Sequence, residues 1–141
     1  MKLNNSKPHF HVTAGVIYKN KKVLIAKRPK GSHLEGLWEF PGGKQENGEN
    51  LKDCLVREIR EELGLKIKAH QLLLTVKHEY HNKVIFLHAF NCISLAGKPK
   101  ALNCQEIRWV HPEELQAFKF PPPDMQVIEA ICWRESAVNN A

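Results

Sequence analysis

Three glutamates lie close enough in the sequence to hold a divalent cation. Glu58, Glu61 and Glu62 fall within GKQENGENLKDCLVREIREELGL, residues 43–65. Leu51, Leu55, Ile59 and Leu63 recur at every fourth position around them, which is the buried stripe of an amphipathic helix. At about 100° per residue the three carboxylates share an arc of roughly 100° beside that stripe. Like charges this close repel one another unless a cation sits among them, and hard carboxylate oxygens suit Mg2+ or Mn2+. The plainer reading of a REIREE run is a solvated acidic face neutralised by Arg57 and Arg60. The Gly42 and Gly43 pair ahead of the helix can bring backbone carbonyls to the same face, and this favours the cation.

The helix itself is expected over 50–63, with Gly64 where a C-cap requires tolerance of left-handed geometry. Upstream, Val, Ile, Thr and Tyr dominate 10–18 and 22–27, giving two strands around a turn at Asn20 and Lys21. The loop KRPKGSHLEG follows, and the apolar run 37–40 makes a strand stub that leads into Pro41, Gly42 and Gly43. Downstream, strands are expected over 71–79 and 84–94, joined through His81 and Asn82, and over 106–110. Pro112 opens a short helical segment to Phe118. Pro121, Pro122 and Pro123 separate it from a last amphipathic helix whose core face is Val127, Ile128 and Ile131. Such interleaving implies an α/β fold, a mixed sheet clasped between helices. One domain is expected over 10–133, between a flexible N-terminus at 1–9 and a polar tail at 134–141.

A chain of 141 residues suits one domain, and 43% hydrophobic with 26% charged residues is a soluble globular composition. Twenty-one Lys and Arg against 15 acids give a formal charge of +6, which favours anionic partners. The basic residues are scattered, pointing to free nucleotide and away from stable nucleic-acid binding. Cys54, Cys92, Cys104 and Cys132 form no CxxC pair; they read as buried thiols in a reducing compartment, not as zinc ligands or a disulfide framework. The sequence shows no signal-peptide core and no run of membrane-spanning length. The expectation is a cytoplasmic protein without a membrane partner, monomeric, with a dimer left open.

Gly43, Glu49, Arg57, Glu58, Ile59, Glu61, Glu62, Gly64 and Leu65 fill every specified position of a spaced pattern: glycine, five residues, glutamate, seven residues, then Arg-Glu-apolar-x-Glu-Glu-x-Gly-apolar. The chain thereby resembles the Nudix hydrolases, whose signature box this is. From about residue 12 to 131 it is similar to the MutT-type branch, enzymes that hydrolyse oxidised guanine nucleoside triphosphates. The resemblance implies the Nudix α/β/α sandwich and hydrolysis of a nucleoside triphosphate to monophosphate and pyrophosphate. It also implies a site for Mg2+, with Mn2+ as a substitute, made by Glu58, Glu62, Glu106 and the Gly42 carbonyl, with Glu61 as an outer or second-ion ligand. Glu58 is the implied general base and Glu106 the alternative, while Arg57 orients Glu49 and the box loop. Arg28, Lys44 and Lys83 would balance the phosphates, His33 and Phe40 would line the nucleotide site, and the FPPPD segment ending at Asp124 would contact the base.

Each flanking residue also has a plainer reading: surface charge for Arg28, Lys83 and Glu106, loop ordering for His33, core for Phe40 and Trp109, and a helix cap for Asp124. At the Asp124 position the best-known members carry Asn. An amide donates to O6 of 8-oxoguanine while accepting its N7 proton, whereas an ionised Asp only accepts and equally suits the N4 amine of cytosine. The activity that the resemblance implies is 8-oxo-dGTP diphosphatase, serving nucleotide-pool sanitisation. A pyrophosphohydrolase preferring CTP or 5-methyl-dCTP is the alternative within the family. A non-catalytic nucleotide-binding module is the alternative of another class; such modules typically lose box carboxylates, and this chain keeps them all.

Overall fold

The computed structural model describes residues 6–139, with side chains through 134. β1 (His9–Lys19) and β2 (Lys22–Lys27) form a hairpin. Its turn residues Asn20 and Lys21 take φ of 52° and 63°, matching the twist that two-residue hairpin turns favour. Hairpin pairing is short, joining Tyr18 to Val23 and Lys19 to Lys22. β1 then pairs in parallel with β5 (Val84–Ala96), from His9 opposite Val84 to Tyr18 opposite Ile93. β5 pairs antiparallel with β4 (Lys66–Glu79). β2 carries β3 (Trp38–Glu39) at Lys27 and Ala26, and β6 (Glu106–Val110) along its whole length.

Alternation along these strands splits the core into two layers. α1 (Leu51–Leu63) lays Leu55, Ile59 and Leu63 against Ile17, Leu24 and Phe90 on one face. On the other face, a 3-10 helix (Pro112–Ala117) and α2 (Pro122–Asn139) bring Leu115, Val127 and Ile131 against Val16, Ile25 and Leu87. Each such side chain contributes about 1.5–3 kcal/mol on full burial. The mixed sheet between helices is the α/β architecture expected. α1 starts where Asn50 Oδ1 accepts the Asp53 amide at 2.9 Å and stops where Gly64, at φ 63°, donates its amide to the Arg60 carbonyl at 2.9 Å.

The boundaries of β4 and α2 differ most from expectation. β4 begins at Lys66, not at residue 71, because Ile67 and Ala69 alternate with lysines; a register shift between Ala69 and Leu72 interrupts the pattern and hides the earlier half. α2 begins at Pro122, since proline is tolerated in a first turn whose amides have no helical partner. It also runs through Asn139, so the backbone of the polar tail is helical as far as it is described. At the other end, Lys7 Nζ donates to Glu79 at 2.8 Å and to the Tyr80 carbonyl at 2.9 Å, and the Val84 amide donates to the Pro8 carbonyl at 2.9 Å. The chain is thus tied down within the stretch 1–9, of which residues 1–5 lie outside the described region. No helix of the described residues is long and apolar enough to cross a membrane.

Candidate active site

The loop before α1 lies along β1 almost as another strand. The Thr13 amide donates to the Gly43 carbonyl at 2.8 Å, the Gly15 amide to the Pro41 carbonyl at 2.7 Å, and the Gln45 amide to the His11 carbonyl at 2.9 Å. Any side chain at Gly42 would strike the Thr13 carbonyl, and one at Gly43 would strike the Glu58 carboxyl. The glycine pair therefore lets the box helix press Glu58 against loop backbone. Thr13 Oγ1 also donates to the Gly43 carbonyl at 3.1 Å, so that oxygen is engaged in the loop itself.

Arg57 organises the carboxylates. It grips Glu49 with two parallel bonds, Nε at 3.0 Å and Nη2 at 2.7 Å, and donates from Nη1 to Glu58 at 3.0 Å and to Glu61 at 3.2 Å. A planar fork is the group that can do both. Glu49 also accepts the Glu46 amide at 3.0 Å, and the Arg57 bonds hold its carboxyl down to about 2. Glu62 is the opposite case: burial, then the charges of Glu39 and Glu58, push it up to about 8. Burial also raises Glu58, against the pull of Arg57. A hard divalent cation suits this donor set, for it relieves the repulsion that raises Glu62. As placed, no three His, Cys, Asp or Glu side chains among the described residues stand close enough to hold one ion, and the guanidinium of Arg57 occupies Glu58 and Glu61.

The structure does not bring Glu106 to this cluster. In β6, Ile107 and Trp109 pack on the α1 side, so Glu106 and Arg108, which alternate with them, point across the sheet. Glu106 there accepts from Arg108 Nε at 2.6 Å, and Arg108 lies 5.3 Å over the Trp38 ring. A carboxylate from outside the box that does lie on the α1 side is Glu39, which sequence reasoning missed. Opposite Ala26 in the ladder, with Ile107 on the other side of Ala26, it shares the α1 face. Arg28 Nη1 donates to it at 2.6 Å. The missed signal was the alternation of Trp38, Glu39 and Phe40, whose two aromatics are buried in the opposite layer.

At the end where a base would lie, Arg28, His33, Phe40, Lys83 and Asp124 are brought near one another. Arg28 Nε donates to the His33 carbonyl at 2.6 Å. The Phe40 amide donates to Asp124 Oδ2 at 3.3 Å, and the Phe40 ring packs 5.3 Å from Phe120. Asp124 sits inside the first turn of α2, not before it as a cap would. Burial, then the charge of Glu39, pushes its carboxyl up to about 7. Tyr80, a second residue that sequence reasoning missed, joins them: its ring is 5.4 Å from His33, edge to face, and lies under Lys83 Nζ at 5.5 Å. The tyrosine hydroxyl is raised by burial and then by Asp124. His33 is lowered by burial, then by Lys83 and Arg28. Lys44 stands apart, its ammonium 4.1 Å over the Phe10 ring.

Comparison with known proteins agrees with this geometry. The family model for the NUDIX domain matches residues 12–130. The CTP pyrophosphohydrolase of Escherichia coli (strain K12) is 37% identical over 119 residues, 84% of this chain and 88% of that protein. The 8-oxo-dGTP diphosphatase of Buchnera aphidicola subsp. Schizaphis graminum is 35% identical over 118 residues, 84% of this chain and 89% of that one. The solution structure of the E. coli ORF135 protein superposes with a TM-score of 0.85 at 34% identity, covering 96% of this chain and 97% of that one. With the box complete, its glutamates gathered around Arg57 and these likenesses spanning nearly the whole domain, the chain belongs to the Nudix family and is a MutT-like Nudix hydrolase.

Proposed function

We propose that this enzyme hydrolyses a nucleoside triphosphate to the monophosphate and pyrophosphate, with 8-oxo-dGTP as its substrate. The observation that carries the reaction is the set of glutamates held by Arg57 against the Gly42 and Gly43 loop. Glu58 and Glu62, with Glu61 outside them and the Gly42 carbonyl, would hold the cation. Mg2+, or Mn2+ in its place, supplies Lewis-acid neutralisation of the phosphate oxygens when bound. Glu58 takes the proton of the attacking water, and one phosphoanhydride bond breaks to release pyrophosphate. Arg57 fixes Glu49 and, through the Lys44 carbonyl, the loop beside Glu58. Arg28 and Lys83 balance triphosphate charge beside the base, and Lys44 does so if its ammonium leaves Phe10.

For the base, the supporting observation is Asp124, buried to 7% exposure and pushed up to about 7. A protonated carboxyl donates and accepts as an amide does, so it can serve O6 and the N7 proton of 8-oxoguanine together. The second reading follows from the same residue: ionised, Asp124 accepts from the N4 amine of cytosine, and a CTP pyrophosphohydrolase is among the relatives. Pyrophosphate release from 8-oxo-dGTP, dGTP, CTP, 5-methyl-dCTP and dATP separates the two. Preference for 8-oxo-dGTP over dGTP supports the first reading, and preference for the cytosine nucleotides replaces it with the second. No Mg2+-dependent release from any of the five would reduce the protein to a binding module.

A further inference from the structure

We propose that Thr13 is a positioning residue for the hydrolysis: its buried hydroxyl locks the peptide groups on either side of Gly43, and with them the edge of the glycine loop that is turned to Glu58 and Glu62. Thr13 is 1% exposed, and its Oγ1 lies 3.6 Å from Cys54 Sγ of α1. A threonine hydroxyl offers one proton and two lone pairs, and here both functions go to a single residue. Oγ1 donates to the Gly43 carbonyl at 3.1 Å and accepts the Gly43 amide at 3.4 Å. The Thr13 amide and the Cys54 thiol donate to the same carbonyl, at 2.8 Å and 3.6 Å. The Gly43 amide shares one planar trans peptide with the Gly42 carbonyl, and in such a unit N–H and C=O point opposite ways. By drawing the amide toward β1, the hydroxyl therefore turns the Gly42 carbonyl away from it. The preceding peptide is set likewise: the Gly15 amide holds the Pro41 carbonyl at 2.7 Å, which turns the Gly42 amide outward. Burial raises the Glu62 carboxyl, and the Gly42 amide opposes that rise, while the Glu58 carboxyl fills the space that a Gly43 side chain would take. One edge of the loop is thus locked to the sheet and the other is presented to two glutamates. On its far edge β1 is held by β5, with His88 opposite Thr13, so the clamp is anchored inside the sheet. Backbone bonds alone fix the Pro41 and Gly43 carbonyls; the hydroxyl adds the hold on the Gly43 amide, and that hold decides which way the Gly42 carbonyl faces.

This role rests on those given above to Glu58 and Glu62, and the test keeps the two apart. Thr13→Val, which keeps the shape and loses the hydroxyl, and Thr13→Ser, which keeps the hydroxyl, are compared with wild type and with Glu58→Gln. Mg2+-dependent pyrophosphate release is followed on whichever of 8-oxo-dGTP, dGTP, CTP, 5-methyl-dCTP and dATP the wild type cleaves fastest. Exchange of the Gly43 amide hydrogen is followed by NMR on nucleotide-free protein. Thr13→Val should lower kcat at least about 10-fold, toward the roughly 100-fold that a misplacement of about 1 Å costs. KM should stay within about 2-fold, because Thr13 is sealed behind the loop and its loss acts on the reacting groups. The Gly43 amide of this variant should exchange at least about 10-fold faster, by local opening. Thr13→Ser should restore both. Should Thr13→Val not fold, Thr13→Ala takes its place with the same expectations. Wild-type kcat, or an unchanged Gly43 exchange rate, in a folded variant without the hydroxyl overturns the role of Thr13. So does an equal loss of kcat in Thr13→Ser, which would mark the methyl group as packing support. If Glu58→Gln keeps its turnover, the roles of the glutamates fall and that of Thr13 with them; if only Thr13→Val keeps it, the role of Thr13 falls and the glutamates stand.

Discussion

On the α1 side of the sheet, Glu49, Glu58 and Glu61 each meet Arg57 at 2.7–3.2 Å; across the sheet, Asp124 meets the backbone amide of Phe40 at 3.3 Å. The first arrangement is made of paired charges, which can exchange one cation for another. The second is a single buried group whose donor is fixed by the fold, and its chemistry changes only by gaining or losing a proton. On the function proposed above, the phosphate end would work through counter-charge, which any nucleotide satisfies, and the base end through protonation, which discriminates.

The largest test of this contrast is Glu58→Gln. It should lower pyrophosphate release by about 100-fold to 10,000-fold, the usual share of a general base, with the melting temperature intact. Retention of most turnover would move the base role elsewhere. Arg57→Lys comes next: an ammonium cannot grip Glu49 with two bonds while reaching Glu58, so activity should fall roughly 10-fold to 100-fold, with a rise in the Mg2+ concentration needed for half-maximal rate. Asp124→Asn probes the other side through pH. The folded carboxyl lies at about 7 against an ordinary 3.8, so its contribution to stability is full below about pH 4 and is lost as pH rises through 7. The Asn variant should therefore melt several degrees above wild type at pH 8 and match it near pH 4. Between pH 6 and 8 the wild-type ratio of 8-oxo-dGTP to CTP rates should drift toward CTP, and the Asn variant should abolish that drift. Smallest is Glu106→Gln. An exposed pair such as Glu106 and Arg108 contributes below about 1 kcal/mol, so a collapse of activity there would mean that β6 turns this carboxylate toward α1.

The same contrast explains what could be read from sequence. The box helix was legible because every determinant is local: an apolar residue every fourth position, Asn50 at the start and Gly64 at the end. Gly42 and Gly43 were legible as a turn, though the reason for both, the nearness of Thr13 and Glu58, is tertiary. Glu106 was expected at the cation site and Glu39 went unnoticed, because a strand's face is set by its ladder partners. Only the pairing of Ala26 with both Glu39 and Ile107 reveals which of the two carboxylates shares a side with α1. Tyr80 went unnoticed since its value comes from His33 and Lys83, which are brought to it by a loop and a turn. Asp124 was singled out in the sequence, but what raises its carboxyl, burial in the fold and then the charge of Glu39, is disclosed by none of its neighbours in the sequence.

The strand-like loop beside β1 also bears on how the enzyme acquires activity. β1 is flanked by Pro41, Gly43 and Gln45 on one edge and by β5 in parallel on the other, with His9 opposite Val84. Closing that parallel ladder joins segments far apart in the chain, a slow kind of event in folding. The loop that presses on Glu58 has its template only once β1 is seated, so recovery of turnover on refolding should coincide with the last cooperative phase. By the same reasoning the Thr13 and Gly15 amides should exchange with solvent hydrogen only through global opening. A population of half-folded molecules would contribute no hydrolysis.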